Sequence, residues 1–295
     1  MQTIPAKTIV TKTKKPAAWF GADYNMNIYR GCCHGCIYCD SRSDCYRNPD
    51  FSTVKAKDNA LQIVRDDLRR KVKTGVIATG AMSDPYNPFE KNEKLTRNSL
   101  ELINAFGFGV AIDTKGSLVT RDIDILKDIG THSPVIVKIS ITADDDTLSK
   151  IIEPGAATSS ERFIALKKLS DAGIFCGVLM MPILPFINDT EENITAIVNE
   201  AKKAGAKFIY PAFGVTMRQG NREYFFEQLD KYFPGYKEKY ISKYRNNYVC
   251  TSPKARKLWS LFTMLCKHNN ILYDMKDITY AYKRPYENEQ LSLFP

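Results

Sequence analysis

The sequence has no long uninterrupted hydrophobic segment, and this absence excludes a membrane-spanning bundle. Its longest apolar run, Phe175 to Ile187, is interrupted by Gly177, Pro182 and Pro185 and is too short to cross a bilayer. The N-terminal residues also lack the apolar stretch and the small-residue cleavage site of a secretory signal. We therefore expect a cytoplasmic protein that is not attached to a membrane.

Internal repeats and low-complexity tracts are also missing, which excludes a collagen or coiled-coil repeat. Hydrophobic residues make up 44% of the 295 residues and charged residues 25%. This balance is typical of a folded protein with a sizeable core, so a disordered chain is excluded as well. The length fits one large domain, or one domain with a smaller appendage.

Acidic residues are missing from the first segment, where Lys7, Lys12, Lys14 and Lys15 all precede the first acid, Asp23. Over the whole chain, 42 Lys and Arg stand against 33 Asp and Glu, a formal net charge of +9. Such a surplus favours a polyanionic partner through the summed electrostatic field of the protein. A basic enzyme without such a partner would have the same composition.

Apolar, β-rich segments alternate with amphipathic segments of helical period through most of the chain. The predicted strands are Met26 to Tyr29, Val76 to Thr79, Gly109 to Asp113, Val135 to Ile141, Phe175 to Met180 and Phe208 to Tyr210. The predicted helices are Asp58 to Lys71, Thr96 to Phe106, Arg121 to Ile129, Glu161 to Ala172 and Glu191 to Ala204. Six βα units in series predict an α/β fold, a partial (β/α)6 TIM-like barrel, followed after about Val215 by a mainly helical C-terminal extension. Functional residues of such barrels lie in the loops after the strands.

Five of the eight cysteines lie close together, directly after the first predicted strand. They are Cys32, Cys33, Cys36, Cys39 and Cys45. Clustered cysteines in a large chain without a secretory signal favour metal binding over disulfides. The C-x3-C-x2-C spacing of Cys32, Cys36 and Cys39 suits three corners of a [4Fe–4S] cluster, with the fourth iron open to a small molecule. Cys45 as a fourth ligand, and a zinc site, are the alternatives, although His34 lies too close to its neighbours for a normal second zinc-ligand pair.

The cysteine loop YRGCCHGCIYCD and six further blocks resemble the radical S-adenosylmethionine (SAM) superfamily, and within it the spore photoproduct lyase-related group of DNA repair photolyase-like proteins. The blocks are SDPYNPFE from Ser83, LTRNSLELI from Leu95, DTKGSLVTRDIDIL from Asp113, SITADDD from Ser140, EPGAATSSER from Glu153 and MPILPFIND from Met181. The resemblance extends from about Tyr24 to Tyr210 and implies a barrel of the radical SAM type.

The resemblance implies that Cys32, Cys36 and Cys39 ligate a [4Fe–4S] cluster whose fourth iron binds the amino and carboxylate groups of SAM. Reductive cleavage of SAM would give a 5′-deoxyadenosyl radical that abstracts hydrogen from the substrate. It further implies an electron donor, a flavodoxin or ferredoxin. The cofactor-binding residues that it implies are Tyr38, Ser83, Lys115, Ser140, Glu153 and Arg162.

These six positions differ in what supports them. The resemblance puts Tyr38 beside the adenine, and a lysine aimed at the methionine carboxylate would form a charge-assisted hydrogen bond. Lys115 could instead be a solvated turn residue, and Ser83 and Ser140 could only cap the ends of strands. Glu153 and Arg162 could instead have a surface or capping role.

One position departs from the pattern of the lyase. The lyase carries a hydrogen-donating cysteine two residues before the serine of its second-strand loop, and this chain has Ala81 there. Alanine cannot donate a hydrogen atom, so we expect a relative with a different or altered reaction, not the lyase itself. The other thiols, Cys33, Cys45 and Cys176, are not placed against a substrate by the sequence, so the catalytic hydrogen donor is left open.

Two features near the end of the chain favour DNA as the substrate. Gln290, Leu291, Ser292, Leu293 and Phe294 resemble the bacterial sliding-clamp-binding pentapeptide, although such a tail could instead dock on its own barrel. Four tyrosines recur every four residues beside basic residues, a pattern that suits base stacking but is more commonly a helix face packed on the core. They are Tyr236, Tyr240, Tyr244 and Tyr248.

We therefore predict a basic N-terminal segment (1–23), a radical SAM core (24–215), an aromatic and basic helical extension (216–283) and a tail (284–295). The predicted function is a radical SAM enzyme that repairs or modifies a base lesion in DNA. The alternatives are a radical SAM enzyme acting on RNA, a peptide or a small metabolite, and an iron–sulfur nucleic-acid-binding or sensor protein without catalysis.

Overall fold

A central sheet flanked by helices organises the computed structural model, which describes residues 1–14 and 19–287. Its strands are β1 Thr3–Ile4, β2 Val10–Lys12, β3 Tyr24–Met26, β4 Tyr29–Arg30, β5 Lys55–Lys57, β6 Val76–Thr79, β7 Gly109–Thr114, β8 Val135–Ser140, β9 Cys176–Met180, β10 Phe208–Pro211, β11 Gly214–Thr216 and β12 Val249–Thr251. Its α-helices are α1 Ala60–Arg69, α2 Glu90–Glu93, α3 Leu95–Ala105, α4 Ile123–Gly130, α5 Asp146–Ile152, α6 Ser159–Asp171, α7 Glu191–Lys203, α8 Asn221–Tyr232, α9 Tyr236–Tyr244, α10 Ala255–His268 and α11 Met275–Lys283.

The large sheet has the strand order β10-β9-β8-β7-β6-β3-β2. Neighbouring strands from β3 through β10 in this order run parallel, and β2 adds to β3 in the antiparallel direction. Parallel strands linked by helices, with β10 and β2 at the two ends of the sheet, form a partial (β/α)6 barrel. The predicted fold class is confirmed. All the carboxyl ends of the parallel strands therefore lie at one mouth of the barrel.

Both faces of the parallel strands are buried, as expected for a sheet covered on each side. On the outside, a large apolar cluster joins the sheet to the helices and includes Leu100 of α3 and Leu166 of α6. Inside the barrel, a second cluster of strand residues packs against Phe20, from before β3, and Tyr282 of α11. Segments from both ends of the described chain thus fill the barrel interior.

The first predicted strand, Met26 to Tyr29, is wrong as a single element. β3 ends at Met26 in the large sheet, and β4 begins at Tyr29 in a separate sheet of order β1-β5-β4. The chain changes sheets between these strands, where Ile28 O accepts a hydrogen bond of 3.1 Å from Lys57 N. The cysteine loop therefore starts from the small sheet at the barrel mouth.

The segment before β3 is built into both sheets through β1 and β2. Asp67 of α1 is buried, and its Oδ2 atom accepts hydrogen bonds from Ile9 N (2.7 Å) and Val10 N (2.9 Å). The boundaries 1–23, 24–215, 216–283 and 284–295 stay a prediction.

The chain after β10 is mainly helical, with α8 to α11 and the antiparallel pair β11–β12. Tyr240 and Tyr244 of α9 are buried against Phe186, so the base-stacking interpretation is wrong for these two rings. Tyr248 lies beyond the helix and is exposed. The clamp-like residues Gln290 to Phe294 lie outside the described residues. No helix in the described part of the chain is long and apolar enough to cross a membrane.

Candidate active site

The cysteines of the C-x3-C-x2-C motif lie on one loop at the barrel mouth, between β4 and a 3₁₀ helix that begins at Asp40. The loop turns at Gly31 (φ +80°) and Gly35 (φ +68°), conformations that glycine adopts without steric cost. Ile37 N donates to Ile152 O (3.0 Å) at the end of α5, which fixes the middle of the loop on the barrel. The loop is therefore a folded element with defined backbone contacts.

Burial raises the pKa of all three thiols. The pKa of Cys32 rises to about 12, and that of Cys36, which is buried, rises well above its usual value. Burial also raises the pKa of Cys39. Repulsion from Cys39 raises the pKa of both Cys32 and Cys36, as expected for thiols on one short loop. The metal-free thiols are neutral, and metal binding must release their protons.

The donor set fits a cluster better than a single ion. Across residues 1–14 and 19–287, no group of three His, Cys, Asp or Glu side chains could hold one metal ion. A cubane cluster makes a different demand, because each cysteine ligates a separate iron. Three free thiols on one loop, with shared electrostatic influence, meet that demand.

A buried charge network lies behind the loop. The hydroxyl of Tyr38 donates to Glu153, and Arg162 donates to Glu153 and, through Nη1, to the Ser140 carbonyl (2.6 Å). Glu153 is 1% exposed and Arg162 is fully buried. A surface role for either residue is therefore wrong.

Charge pairing outweighs burial at both ends of this ion pair. Burial alone would raise the pKa of Glu153, but Arg162 and Lys115 hold it below its usual value. Burial alone would lower the pKa of Arg162, but Glu153 raises it. Both groups are therefore charged, and Arg162 Nε also donates to the Ala157 carbonyl (2.9 Å). The Arg162 donors are thus directed at protein groups.

Lys115 follows β7 and points toward the cysteine loop. Its Nζ atom lies 5.8 Å from the centroid of the Tyr38 ring. Burial disfavours its charge, but the neighbouring Cys36 and Glu153 side chains outweigh burial and raise the pKa of Lys115. Lys115 is half-buried in the bend after β7, and a cation held at the barrel mouth suits a carboxylate ligand.

Asp84, a buried residue that the sequence interpretation did not single out, links three loops of the site. Its Oδ1 atom accepts from Thr114 Oγ1 (2.7 Å) and its Oδ2 atom from Lys115 N (2.7 Å). Asp84 Oδ2 also lies 3.4 Å from His34 Nδ1 in the cysteine loop, and burial lowers the pKa of that histidine. The available signal was an acidic residue in the loop after a predicted strand, inside the block SDPYNPFE.

Ser83 and Ser140, the two serines predicted to bind SAM, both lie at the barrel mouth. The Ser83 hydroxyl donates to the Gly31 carbonyl of the cysteine loop, and Ser140 ends β8. Ala81, in the same loop as Ser83, is exposed, and its carbonyl accepts from Ser41 Oγ (3.4 Å). The position of the lyase cysteine thus lies beside the cysteine loop but carries only a methyl group.

The remaining thiols differ in their access to this site. Cys176 is buried at the first residue of β9, at the opposite end of the barrel strands. Cys33 is half-buried in the loop, and Cys45 is exposed, with Sγ 3.3 Å from Arg218 Nη1. The sequence left three thiols open as hydrogen donors. Of these, only Cys33 and Cys45 are candidates for thiol chemistry near the barrel mouth.

The family model of the radical SAM superfamily matches residues 26–208, which include the cysteine loop and the strands from β4 onward to the start of β10. The chain belongs to the radical SAM superfamily. Its cofactors are those of the family, a [4Fe–4S] cluster and SAM.

Curated relatives of this superfamily member occur in bacteria and archaea. An uncharacterised protein of Mycobacterium tuberculosis (strain ATCC 25618 / H37Rv) is 31% identical over 232 residues, which cover 76% of this chain and 67% of the relative. An uncharacterised protein of Methanocaldococcus jannaschii is 36% identical over 191 residues, which cover 64% of this chain and 69% of the relative.

Solved structures show the same radical SAM fold. A spore photoproduct lyase mutant superposes with a TM-score of 0.65 at 15% identity, covering 92% of this chain and 82% of the lyase chain. The lyase complexed with dinucleoside spore photoproduct superposes with a TM-score of 0.63 at 17% identity, covering 90% of this chain and 78% of the lyase chain. A radical SAM methyltransferase from Kitasatospora setae superposes with a TM-score of 0.55 at 13% identity, covering 85% of this chain and 54% of the methyltransferase chain.

The turn at Gly155 provides a test of how the cysteine loop is supported. A Cβ atom at Gly155 would lie 2.4 Å from the Cys33 carbonyl oxygen, whereas at Gly130 the nearest atom is 3.9 Å away. Gly155→Ala must push the loop aside, at a cost of about 1–3 kcal/mol. We expect cluster retention against a chelator to fall roughly tenfold, since 1.4 kcal/mol corresponds to a factor of ten.

Gly130→Ala is the matched control and should retain iron as the wild type does. Iron and sulfide analysis after timed exposure to the chelator measures both variants. Equal iron retention in Gly155→Ala and the wild type would contradict the support of the loop by this turn.

Proposed function

We propose that Cys32, Cys36 and Cys39 ligate the cluster and that the enzyme acts on DNA. The single observation in support of the ligand set is that the three thiols lie together on one folded loop at the barrel mouth. When bound, the reduced cluster and SAM supply a 5′-deoxyadenosyl radical that abstracts hydrogen from the substrate.

The chain's own residues orient SAM and exclude water. Lys115 holds the methionine carboxylate through a charge-assisted hydrogen bond, and Tyr38 supports the adenine. The Glu153–Arg162 pair keeps Tyr38 and the ends of α5 and β8 in place. Ser83 and Ser140 complete the SAM side of the mouth through the backbone groups of their loops.

Arginine side chains stacked on aromatic rings beside the cysteine loop support DNA as the substrate. The Arg42 guanidinium lies 3.9 Å from the Tyr224 ring centroid, and that of Arg218 lies 4.8 Å from the Tyr248 ring centroid. Guanidinium groups bind phosphates, and aromatic rings stack on bases. One solved structure of the same fold holds a dinucleoside photoproduct, and the net charge of +9 has the sign required for DNA.

The reaction on DNA differs from that of the lyase, because Ala81 provides no thiol. We infer repair or modification of a base lesion with a different hydrogen donor or with none. Contact with a sliding clamp through Gln290 to Phe294, and electron delivery by a flavodoxin or ferredoxin, belong to this proposal. A peptide substrate is less well supported, since Cys250 and Cys266 are buried in different apolar clusters.

The test compares SAM cleavage with four additions to the anaerobic, reduced, cluster-loaded enzyme: ultraviolet-irradiated duplex DNA, the same duplex unirradiated, an RNA duplex, and buffer. We expect 5′-deoxyadenosine formation to rise several-fold with irradiated DNA. Mass spectrometry of the recovered nucleosides should show an altered lesion. Stimulation by RNA alone, or no response to either DNA, would contradict a DNA substrate.

A further inference from the structure

A pocket opens at the edge of the barrel mouth, beside the cysteine loop. It has a volume of about 340 Å³ and lies between the small sheet, the segment from Ser41 to Phe51 and the loop after β6. This volume is in the range of small-molecule sites. Its wall includes Gly31, directly before the first cluster cysteine, and Met82, directly after Ala81. An occupant would therefore contact both loops next to the SAM site.

The register of the small sheet directs positive charge to this pocket. Arg30 of β4 is opposite Lys55 of β5, and alternate residues of a strand share a face, so Arg30, Lys55 and Lys57 lie on one face. Lys55 pairs with Asp50 (3.2 Å), but Arg30 and Lys57 form no ion pair with any described residue. Both of these cations line the pocket.

Nothing in the described wall of the pocket neutralises these two cations. The residues that line it include no carboxylate, and within residues 1–14 and 19–287 Arg30 Nη2 donates only to the Arg47 carbonyl (2.5 Å). Burial, and then the repulsion from Arg30, lower the pKa of Lys57 against a smaller opposite effect of Asp67, which lies outside the pocket wall. Like charges on neighbouring strands destabilise a sheet. An anion between Arg30 and Lys57 would remove this repulsion.

The rest of the wall suits a nucleoside. Phe51 is buried and Tyr46 is half-buried, and the side-chain amides of Asn27 and Asn48 can both donate and accept hydrogen bonds. An aromatic wall beside a cationic edge matches a base attached to a phosphate. A free anion such as inorganic phosphate would leave the aromatic part of the pocket unused.

We propose that this pocket binds one nucleotide of the DNA substrate, with its phosphodiester group on Arg30 and Lys57 and its base against Tyr46 and Phe51. The proposal rests on DNA being the substrate and adds a specific subsite to it. The bound nucleotide anchors the strand next to the loops that hold the cluster and Ala81. It thereby sets which neighbouring nucleotide reaches the radical.

The test measures binding of a fluorescein-labelled DNA oligonucleotide by anisotropy at several salt concentrations, with the cluster-loaded full chain. Lys57→Gln should weaken binding roughly tenfold and reduce the salt slope by about 0.7–0.9, the contribution of one phosphate contact. Lys57→Arg keeps the charge and should retain the slope. Lys168→Gln, on the outer face of α6, removes the same charge and should bind as the wild type does.

Each outcome separates this subsite from the broader proposal. If Lys57→Gln binds DNA with the affinity and slope of the wild type, the subsite is wrong and a DNA substrate still stands. If the folded wild type binds no DNA, both proposals are wrong. Lys57→Gln could instead weaken the binding of free thymidine 5′-monophosphate or of an RNA oligonucleotide while it leaves DNA binding unchanged. That result overturns the assignment to a DNA strand. Iron content and thermal unfolding identify a variant that has lost its fold, and Arg30→Gln then replaces it.

Discussion

Replacing Cys36 with alanine is expected to reduce SAM cleavage to background, a fall of roughly 10³-fold or more, since enzymes accelerate reactions by at least about 10⁶-fold. Cys36 is the most buried thiol of the loop and lies within the electrostatic influence of Cys32 and Cys39. Without it, one iron of the cluster loses its only protein ligand. Iron content and 5′-deoxyadenosine formation, both measured anaerobically, should fall together.

Cys33 supplies the matched control, because it is a half-buried thiol of the same loop outside the C-x3-C-x2-C spacing. Cys33→Ala should keep the cluster and most of the activity. If Cys33→Ala and Cys36→Ala lost iron equally, the spacing would not define the ligands. If Cys36→Ala kept full activity, the ligand set would be wrong.

Arg162→Met is expected to destabilise the protein by about 3–5 kcal/mol, because it leaves the Glu153 carboxylate charged and buried without its arginine. This is a large share of the stability of a typical domain, about 5–15 kcal/mol. The urea midpoint of unfolding measures the loss. The same change should lower SAM cleavage, since Tyr38 shares Glu153 with Arg162.

An exposed ion pair in the same helix provides the comparison. Lys167 and Asp171 of α6 pair at 3.1 Å with both side chains more than half exposed. Lys167→Met should change the stability by about 1 kcal/mol at most. The double variant Glu153→Leu/Arg162→Met removes both charges and should recover part of the lost stability. Equal urea midpoints for Arg162→Met and Lys167→Met would show that Glu153 does not depend on Arg162.

Local sequence patterns were sufficient to predict most strands of the barrel. β6 matches its predicted bounds, and the other parallel strands after it agree within one residue, because each is a short apolar run bounded by turns or helices. Helix α6 begins with a capping box of Thr158 and Glu161, a local arrangement of a kind that sequence can encode. The cysteine spacing and the blocks after the strands predicted a site at the carboxyl ends of the strands, where the structure brings these segments together.

Contacts between distant parts of the chain were not predicted, because no local pattern encodes them. The division of the first strand depends on β5, which pairs with β4 across the cysteine loop. Asp84 gains its role from partners on two other loops. Lys138 lies fully buried in β8 and pairs with Asp113 of β7 at 2.6 Å, although its strand was predicted from apolar residues.

For the site residues too, the sequence predicts local positions but not contacts between distant residues. The sequence could place Lys115, Glu153 and Arg162 after strands, but not show that they share one buried electrostatic network. The surface alternative failed for Glu153 and Arg162, because their burial depends on how α5 and α6 pack against each other. The cation pair at the nucleotide pocket was equally hidden, since it arises from strand register rather than spacing.

The most direct test of the proposed site is electron–nuclear double resonance on the reduced, cluster-loaded wild-type protein with isotopically labelled SAM. The label is ¹⁵N in the methionine amino group and ¹⁷O in its carboxylate. Three cysteine ligands leave one iron open, so both labels should couple to the cluster, and Lys115→Met should weaken SAM binding without altering the iron content. A fully occupied cluster that shows no coupling to either label would contradict the three-cysteine site.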